Sequence, residues 1–131
     1  MREILFRGKR MDNGDWVYGY YVHIGPVSCQ RAYIIPEYAS SLYVNEVDPS
    51  TVGQYTGLKD KNGKRIFEGD IAKVLQGKEK DIAYVGFENG AFMLYPKTGN
   101  IYERSLWEYW YNDWDVEVIG NITDNPELVE K

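Results

Sequence analysis

The chain has 131 residues and a formal net charge of -5, with 15 lysines and arginines against 20 aspartates and glutamates. This length predicts one small domain that can bury a core, and the acidic balance argues against an overall basic nucleic-acid-binding surface. Cys29 is the only cysteine, which excludes an internal disulfide and favours a reducing cytoplasm. No apolar run approaches membrane-spanning length.

Aromatic residues are unusually frequent. They make up 15% of the chain and include 12 tyrosines and 4 tryptophans. Many stand in short runs with β-branched residues, and such runs favour strands over helices. The sequence therefore predicts an all-β fold, mainly strands with one or two short helical turns.

The first fifty residues contain several runs that are typical of strands. Gly19 interrupts one run and predicts a bulge or a close approach by a neighbouring backbone. Asp48 precedes Pro49, an order that predicts a capped helical turn. The predicted strands are residues 2–7, 16–24, 27–35 and 42–47.

The middle of the chain, residues 52–71 (VGQYTGLKDKNGKRIFEGDI), combines four glycines with a lysine-rich turn. Its Asn62-Gly63 dipeptide predicts a tight hairpin turn with two positive-φ positions. The glycine spacing differs from that of phosphate-binding and dinucleotide-binding loops. We therefore expect these glycines to shape the backbone.

Short strands follow at the spacing expected of a small barrel. The rhythm changes at Ser105, which pairs with Glu108 as a capping box and predicts a helix at residues 106–112. Residues 125–128 predict a final capped helical turn. The predicted strands are residues 70–75, 81–87, 92–96, 100–104 and 115–122.

Five short strands with a helical turn before the fifth is the order of SH3-like barrels. We therefore predict a small SH3-like barrel at residues 61–131, preceded by a strand-rich N-terminal segment at residues 1–60. The N-terminal segment is expected to pack on the barrel as one compact unit or to exchange with a neighbouring subunit.

The run VDPSTVGQYTGLKDKNGKRIFEGDI at residues 47–71 resembles the signature of the YopX family, small proteins encoded by bacteriophages and prophages. Three further stretches agree with that family: REILFR at residues 2–7, WVYG at 16–19 and EVIGNITDNPEL at 117–128. The resemblance implies a mostly β protein of phage origin that assembles into oligomers. Members of the family are largely described as having no established biochemical function.

Basic residues of the central turn are a candidate anion contact. Asp60 and Glu68 interleave with them, so a solvated turn is the first interpretation. The alternative is a nucleic-acid-binding SH3-like module that uses this turn. The candidate contact residues are Lys59, Lys61, Lys64 and Arg65.

Large aromatic residues crowd the predicted helix and are a candidate interface. One face of a short helix cannot hide five such rings, so we expect contact with another copy of the chain, with plain core packing as the alternative. Residues 101–131 hold eight acidic and two basic residues, which opposes a role in stacking nucleic-acid bases. The candidate interface residues are Trp107, Tyr109, Trp110, Tyr111 and Trp114.

Two other constellations carry weaker hypotheses. Glu68 and Asp70 share one side of an extended chain, which leaves a metal-dependent nuclease as a remote alternative to a polar solvent face. His23 and Cys29 are the only residues of their kinds, so nitrogen and sulfur ligands from one chain cannot complete a zinc site. Cys29 is predicted to be a thiol in the β core.

The residues contain no complete catalytic constellation, and we predict no catalytic, metal-binding or cofactor-binding residue. The leading hypothesis is a non-enzymatic, phage-encoded, oligomeric protein in the cytoplasm of a bacterial host. It is expected to act as a binding or accessory factor toward a host or phage macromolecule, without membrane attachment.

Overall fold

A computed structural model describes residues 3–26, 31–38 and 44–130 and shows a mostly β chain. The strand registers of the described residues are antiparallel, and the chain divides into two compact units, Met1–Tyr55 and Thr56–Lys131. The predicted all-β fold is confirmed. No helix in the described ranges is both long enough and apolar enough to cross a membrane.

The first unit is a sheet in which neighbouring strands have the order β4-β3-β2-β1-β5. Its core contains Val17, Ala32, Ile34 and Val47. The strands are β1 (Phe6–Lys9), β2 (Trp16–Ile24), β3 (Arg31–Pro36), β4 (Asn45–Val47) and the beginning of β5 (Gly53–Lys59).

Two sequence predictions are confirmed in this unit. A Cβ atom on Gly19 would collide with the carbonyl oxygen of Ile35 on β3, which is the predicted close backbone approach. Asp48 caps a single 3₁₀ turn at Pro49–Thr51, where its Oδ1 accepts from the N–H of Ser50 at 3.0 Å.

One strand of this unit begins later than predicted, and two predicted strands lie partly outside the described residues. Strand β1 begins at Phe6, four residues after the predicted start, because its register with β2 pairs Phe6 with Gly19. The predicted strands at residues 27–35 and 42–47 lie partly outside the described residues, as does Cys29.

The second unit is built on a sheet with the order β10-β9-β8-β7-β11. Consecutive hairpins join β7, β8 and β9, and the chain then forms β10 and α1 before β11 returns to pair with β7. The elements are β6 (Arg65–Phe67), β7 (Asp70–Gln76), β8 (Glu79–Glu88), β9 (Ala91–Pro96), β10 (Arg104–Ser105), α1 (Leu106–Tyr111) and β11 (Asp115–Asn121).

The core of this unit lies between the sheet and α1, and it includes Val74, Val85, Leu94, Leu106 and Tyr109. Alternate residues of a strand face the same side, so Ala72 and Val74 of β7 and Ala83 and Val85 of β8 lie on the face that carries this core. The SH3-like closure of this unit stays a prediction.

One predicted strand is wrong for most of its length. Only Arg104 and Ser105 form β10, whereas the sequence predicted a strand at residues 100–104. The N–H of Asn100 donates to the Asp81 carboxylate at 3.2 Å, so it does not form a hydrogen bond with a neighbouring strand.

The final helical turn is present as a 3₁₀ turn at Pro126–Leu128, but its predicted side-chain cap is absent. Asn125 Oδ1 instead accepts from the N–H of Asn121 at 3.2 Å. The asparagine therefore closes the turn that follows β11.

Candidate functional site

The turn between β5 and β6 is organised by the carboxylate of Asp60, whose side chain is buried. Oδ1 accepts from the N–H groups of Asn62 and Lys64, each at 2.9 Å. Gly63 has a φ of 82°, and Asn62 is not among the positive-φ residues. The predicted tight turn is present, since the N–H of Gly63 donates to the carbonyl of Asp60 at 3.0 Å, but the predicted second positive-φ position is wrong.

Asp60 also fixes this turn to β11. Its Oδ2 accepts from the N–H of Val118 at 3.0 Å, and the N–H of Lys61 donates to the carbonyl of Val116 at 3.0 Å. Burial raises the pKa of Asp60, but the three backbone donors outweigh burial and hold the pKa below its ordinary value of 3.8. The carboxylate is therefore a structural anion.

The basic residues of the turn do not form one equivalent group. Lys59, Lys61 and Lys64 are exposed, whereas Arg65 is half-buried and has partners of its own. An anion contact at Lys59, Lys61, Lys64 and Arg65 stays a prediction.

Helix α1 begins as the sequence predicted. Ser105 is its N-cap, and the Ser105 Oγ accepts from the N–H of Glu108 at 3.3 Å. The Glu108 side chain accepts from Arg104 Nη1 at 3.0 Å. The glutamate of the predicted capping box, Glu108, therefore forms an ion pair with Arg104 on the preceding strand.

Two of the five candidate aromatic residues belong to the core. Tyr109 is fully buried and donates its hydroxyl proton to the carbonyl of Tyr102 at 3.1 Å. Burial raises the pKa of Tyr109 above its ordinary value of 10.0. Trp114 packs edge-on against Tyr109 with ring centroids 5.1 Å apart, because a left-handed residue at Asp113 turns the chain back after the helix.

The other three candidates lie on the surface and are called the aromatic patch. Trp107, Trp110 and Tyr111 are 55%, 58% and 67% exposed. The rings of Trp107 and Tyr111, one helical turn apart, stack with centroids 4.9 Å apart at an interplanar angle of 21°. The helix therefore presents the stacked Trp107 and Tyr111 away from the buried Leu106 and Tyr109, and Trp110 is exposed beside them.

The segment that carries Glu68 and Asp70 is a turn between β6 and β7, so the predicted extended arrangement is wrong. Gly69 has a φ of 92°, and Asp70 is only 1% exposed. Asp70 Oδ2 accepts from the N–H of Phe67 at 2.8 Å. Within the described ranges no group of three histidine, cysteine, aspartate or glutamate residues is placed to hold a metal ion.

Asp81 is a buried carboxylate that the sequence predictions missed. It accepts from the N–H groups of Ile82, Thr98 and Asn100 at 2.8 to 3.2 Å and thereby holds the loop after β9. Burial raises the pKa of Asp81, but these hydrogen bonds outweigh burial and hold the pKa below 3.8. The sequence does carry a signal for this burial, because Asp81 alternates with Ala83 and Val85, which face the core.

A shallow cavity of about 280 Å³ lies beside this carboxylate in the second unit. Strands β7 and β8 and the loop after β9 supply its walls. The lining residues are Lys73, Lys80, Asp81, Ile82, Thr98 and Asn100.

Comparison with known protein families shows which family the chain belongs to. The model of the YopX protein family matches residues 5–130. The chain belongs to the YopX family. The resemblance of its central run is thereby confirmed.

Two solved structures are similar to this YopX-family chain. Protein EF1440 from Enterococcus faecalis is 22% identical with a TM-score of 0.55, covering 99% of this chain and 100% of its own. Protein yopX from Bacillus subtilis is 18% identical with a TM-score of 0.58, covering 100% of this chain and 98% of its own. At these identities the likeness shows the fold alone. Comparison with curated proteins finds no match.

Proposed function

We propose that this YopX-family chain is a non-enzymatic binding protein that associates with copies of itself through the aromatic patch. It serves a bacteriophage or prophage as an accessory factor toward a host or phage macromolecule in the bacterial cytoplasm. The observation that carries the proposal is the exposure of Trp107, Trp110 and Tyr111 on one short helix.

The chemistry of the patch supports a protein interface. Tryptophan and tyrosine are enriched among the residues that dominate binding energy, because they bury much area with little loss of conformational freedom. A two-fold interface uses the same patch on both copies, so the stacked rings of Trp107 and Tyr111 in one copy contact the aromatic patch of the other. Glu108 on the same helix is paired with Arg104, which lowers its repulsion toward a second copy.

The aromatic patch is too small to form a stable interface by itself. A buried tryptophan or tyrosine covers about 150–250 Å², so three half-exposed rings offer roughly 300 Å² per copy. A stable interface buries about 800 Å² per partner. The patch therefore forms the centre of the interface, and neighbouring surface completes it.

The absence of catalysis is supported by the state of the buried carboxylates. Asp60, Asp70 and Asp81 each accept hydrogen bonds from backbone N–H groups. A carboxylate whose oxygens already accept hydrogen bonds from the backbone is poorly placed to act as a general base.

Light scattering coupled to size-exclusion chromatography tests the proposal. We expect the mass of the wild-type protein to rise with concentration between about 1 μM and about 1 mM, and Trp110→Ala to shift assembly to higher concentration by tenfold or more. The matched control is Tyr20→Ala, which removes a ring that is 52% exposed on β2. A wild-type monomer at about 1 mM, or equal effects of the two variants, would contradict the proposal.

A further inference from the structure

Two lysines converge on the cavity that lies on the outer face of β7 and β8. Lys73 lies opposite Ile82 and Lys80 lies opposite Leu75, so the two lysines are diagonal neighbours across the strand pair. Diagonal positions on one face are about 7–8 Å apart, within the reach of long side chains. Both lysines line the cavity of about 280 Å³, which we call the lysine cavity.

Neither lysine of this pair is held in an ion pair within the part of the chain that the structure describes. Among the described residues, neither Lys73 nor Lys80 has a carboxylate oxygen within 4 Å of its ammonium nitrogen. Glu117 lies opposite Lys73 on β11, but its Oε2 accepts from Asn62 Nδ2 at 3.3 Å. Like charges on neighbouring strands repel each other, so an anion between them is favourable.

Asp81 adds one negative charge to the lining, and backbone donors occupy its oxygens. The Asp81 carboxylate accepts from the backbone N–H groups of Ile82, Thr98 and Asn100. The side-chain amide of Asn100 donates to the carbonyl of Lys80 at 3.4 Å. Ile82 and the aliphatic stems of the lysines supply apolar surface.

We propose that the lysine cavity binds a small-molecule phosphate monoester, with the phosphate between Lys73 and Lys80 and an apolar group over Ile82. Two lysines and one aspartate give the lining a net charge of +1, and the three acceptor oxygens of a phosphate monoester can reach both ammonium groups at once. Ligand sites usually span about 300–1,000 Å³, so this cavity accepts a compound of about one ring. The proposal goes beyond self-association and rests on different residues.

Nuclear magnetic resonance titration with phenyl phosphate tests the proposal, because this probe joins a phosphate to one apolar ring. We expect saturable shifts of the amide signals of Thr98 and Asn100, weaker binding of inorganic phosphate, and none of phenol. Lys73→Gln and Lys80→Gln should each weaken binding by about tenfold, the loss expected for a charged hydrogen bond. Both lysines are exposed, so the variants are expected to fold.

The matched control is Lys78, an exposed lysine of the β7–β8 turn that does not line the cavity. Lys78→Gln removes the same charge and should leave binding unchanged within twofold. Two outcomes would overturn the proposal: no saturation by about 10 mM ligand, or a loss in Lys78→Gln equal to the losses in Lys73→Gln and Lys80→Gln.

Discussion

Asp60 accepts from backbone N–H groups of its own turn and from that of Val118, 58 residues further along the chain. One oxygen serves the turn that contains Asn62 and Lys64, and the other serves Val118 on β11. Hydrogen bonds to an ionised acceptor are stronger than neutral ones. A single side chain therefore shapes a turn and secures it to the last strand.

Asp60→Ala is expected to lower the free energy of unfolding by about 3 kcal/mol, because it leaves buried N–H donors without an acceptor. Chemical denaturation followed by circular dichroism measures this loss. The control is Asp12→Ala, which breaks an exposed ion pair with Arg10 and should cost less than about 1 kcal/mol. A loss for Asp60→Ala no larger than that of the control would contradict the prediction.

Local sequence shows that Asp60 and Asp81 are aspartates near turns, but not what they bind. Asp60 depends on Val118, and Asp81 depends on Thr98 and Asn100, which are 17 and 19 residues away. Such partners are set by strand pairing across the unit. The predictions therefore missed both carboxylates as organising residues.

At the scale of elements, periodic segments were predictable and their packing partners were not. Strand β2 has the predicted bounds because its run of β-formers is continuous, and α1 begins at its capped Ser105. The sequence predicted five aromatic residues as one candidate interface. The helix ends at Tyr111, however, and Trp114 returns to the core, so the exposed patch has three members.

Gly19→Ala tests how closely β2 approaches β3. The added Cβ would collide with the Ile35 carbonyl, so we expect a loss of about 3 kcal/mol or more in the free energy of unfolding, as for other severe backbone conflicts. Gly14→Ala is the control, since its φ of 74° disfavours alanine while nothing lies within 4 Å. The control should cost about 1 kcal/mol.

Denaturant unfolding of both variants provides the measurement, and hydrogen exchange locates the change. We expect faster exchange of the amides of β2 and β3 in Gly19→Ala. Equal costs for the two substitutions would show that the close approach to Ile35 carries no energetic weight.

At the scale of the whole molecule, the family motif and the aromatic composition were sufficient for the all-β fold and the YopX assignment. The structure gives each unit its own buried cluster, with Ile34 in the first and Leu94 in the second. The assignment of residues 1–60 to an added β segment and of 61–131 to an SH3-like barrel stays a prediction. Sheet order depends on long-range pairing, such as β11 with β7, which no local pattern encodes.

The two carboxylates with lowered pKa values, Asp60 and Asp81, both lie in the second unit. Folding favours their charged forms, so their stabilisation is fully present above the unfolded pKa of about 3.9. It is lost as the pH falls through the lower folded pKa values. We therefore expect the free energy of unfolding to decrease as the pH falls from about 5 to about 2, with the second unit affected most.

Denaturant midpoints measured across this pH range, with hydrogen exchange to separate the units, test the prediction. The double variant Asp60→Asn, Asp81→Asn should be less stable at neutral pH but should depend less on pH, because neither amide titrates. Glu88→Gln is the control, since it removes an exposed carboxylate that accepts from the Tyr95 hydroxyl. An acid dependence that is as steep in the double variant as in the wild type would assign the loss of stability to other groups.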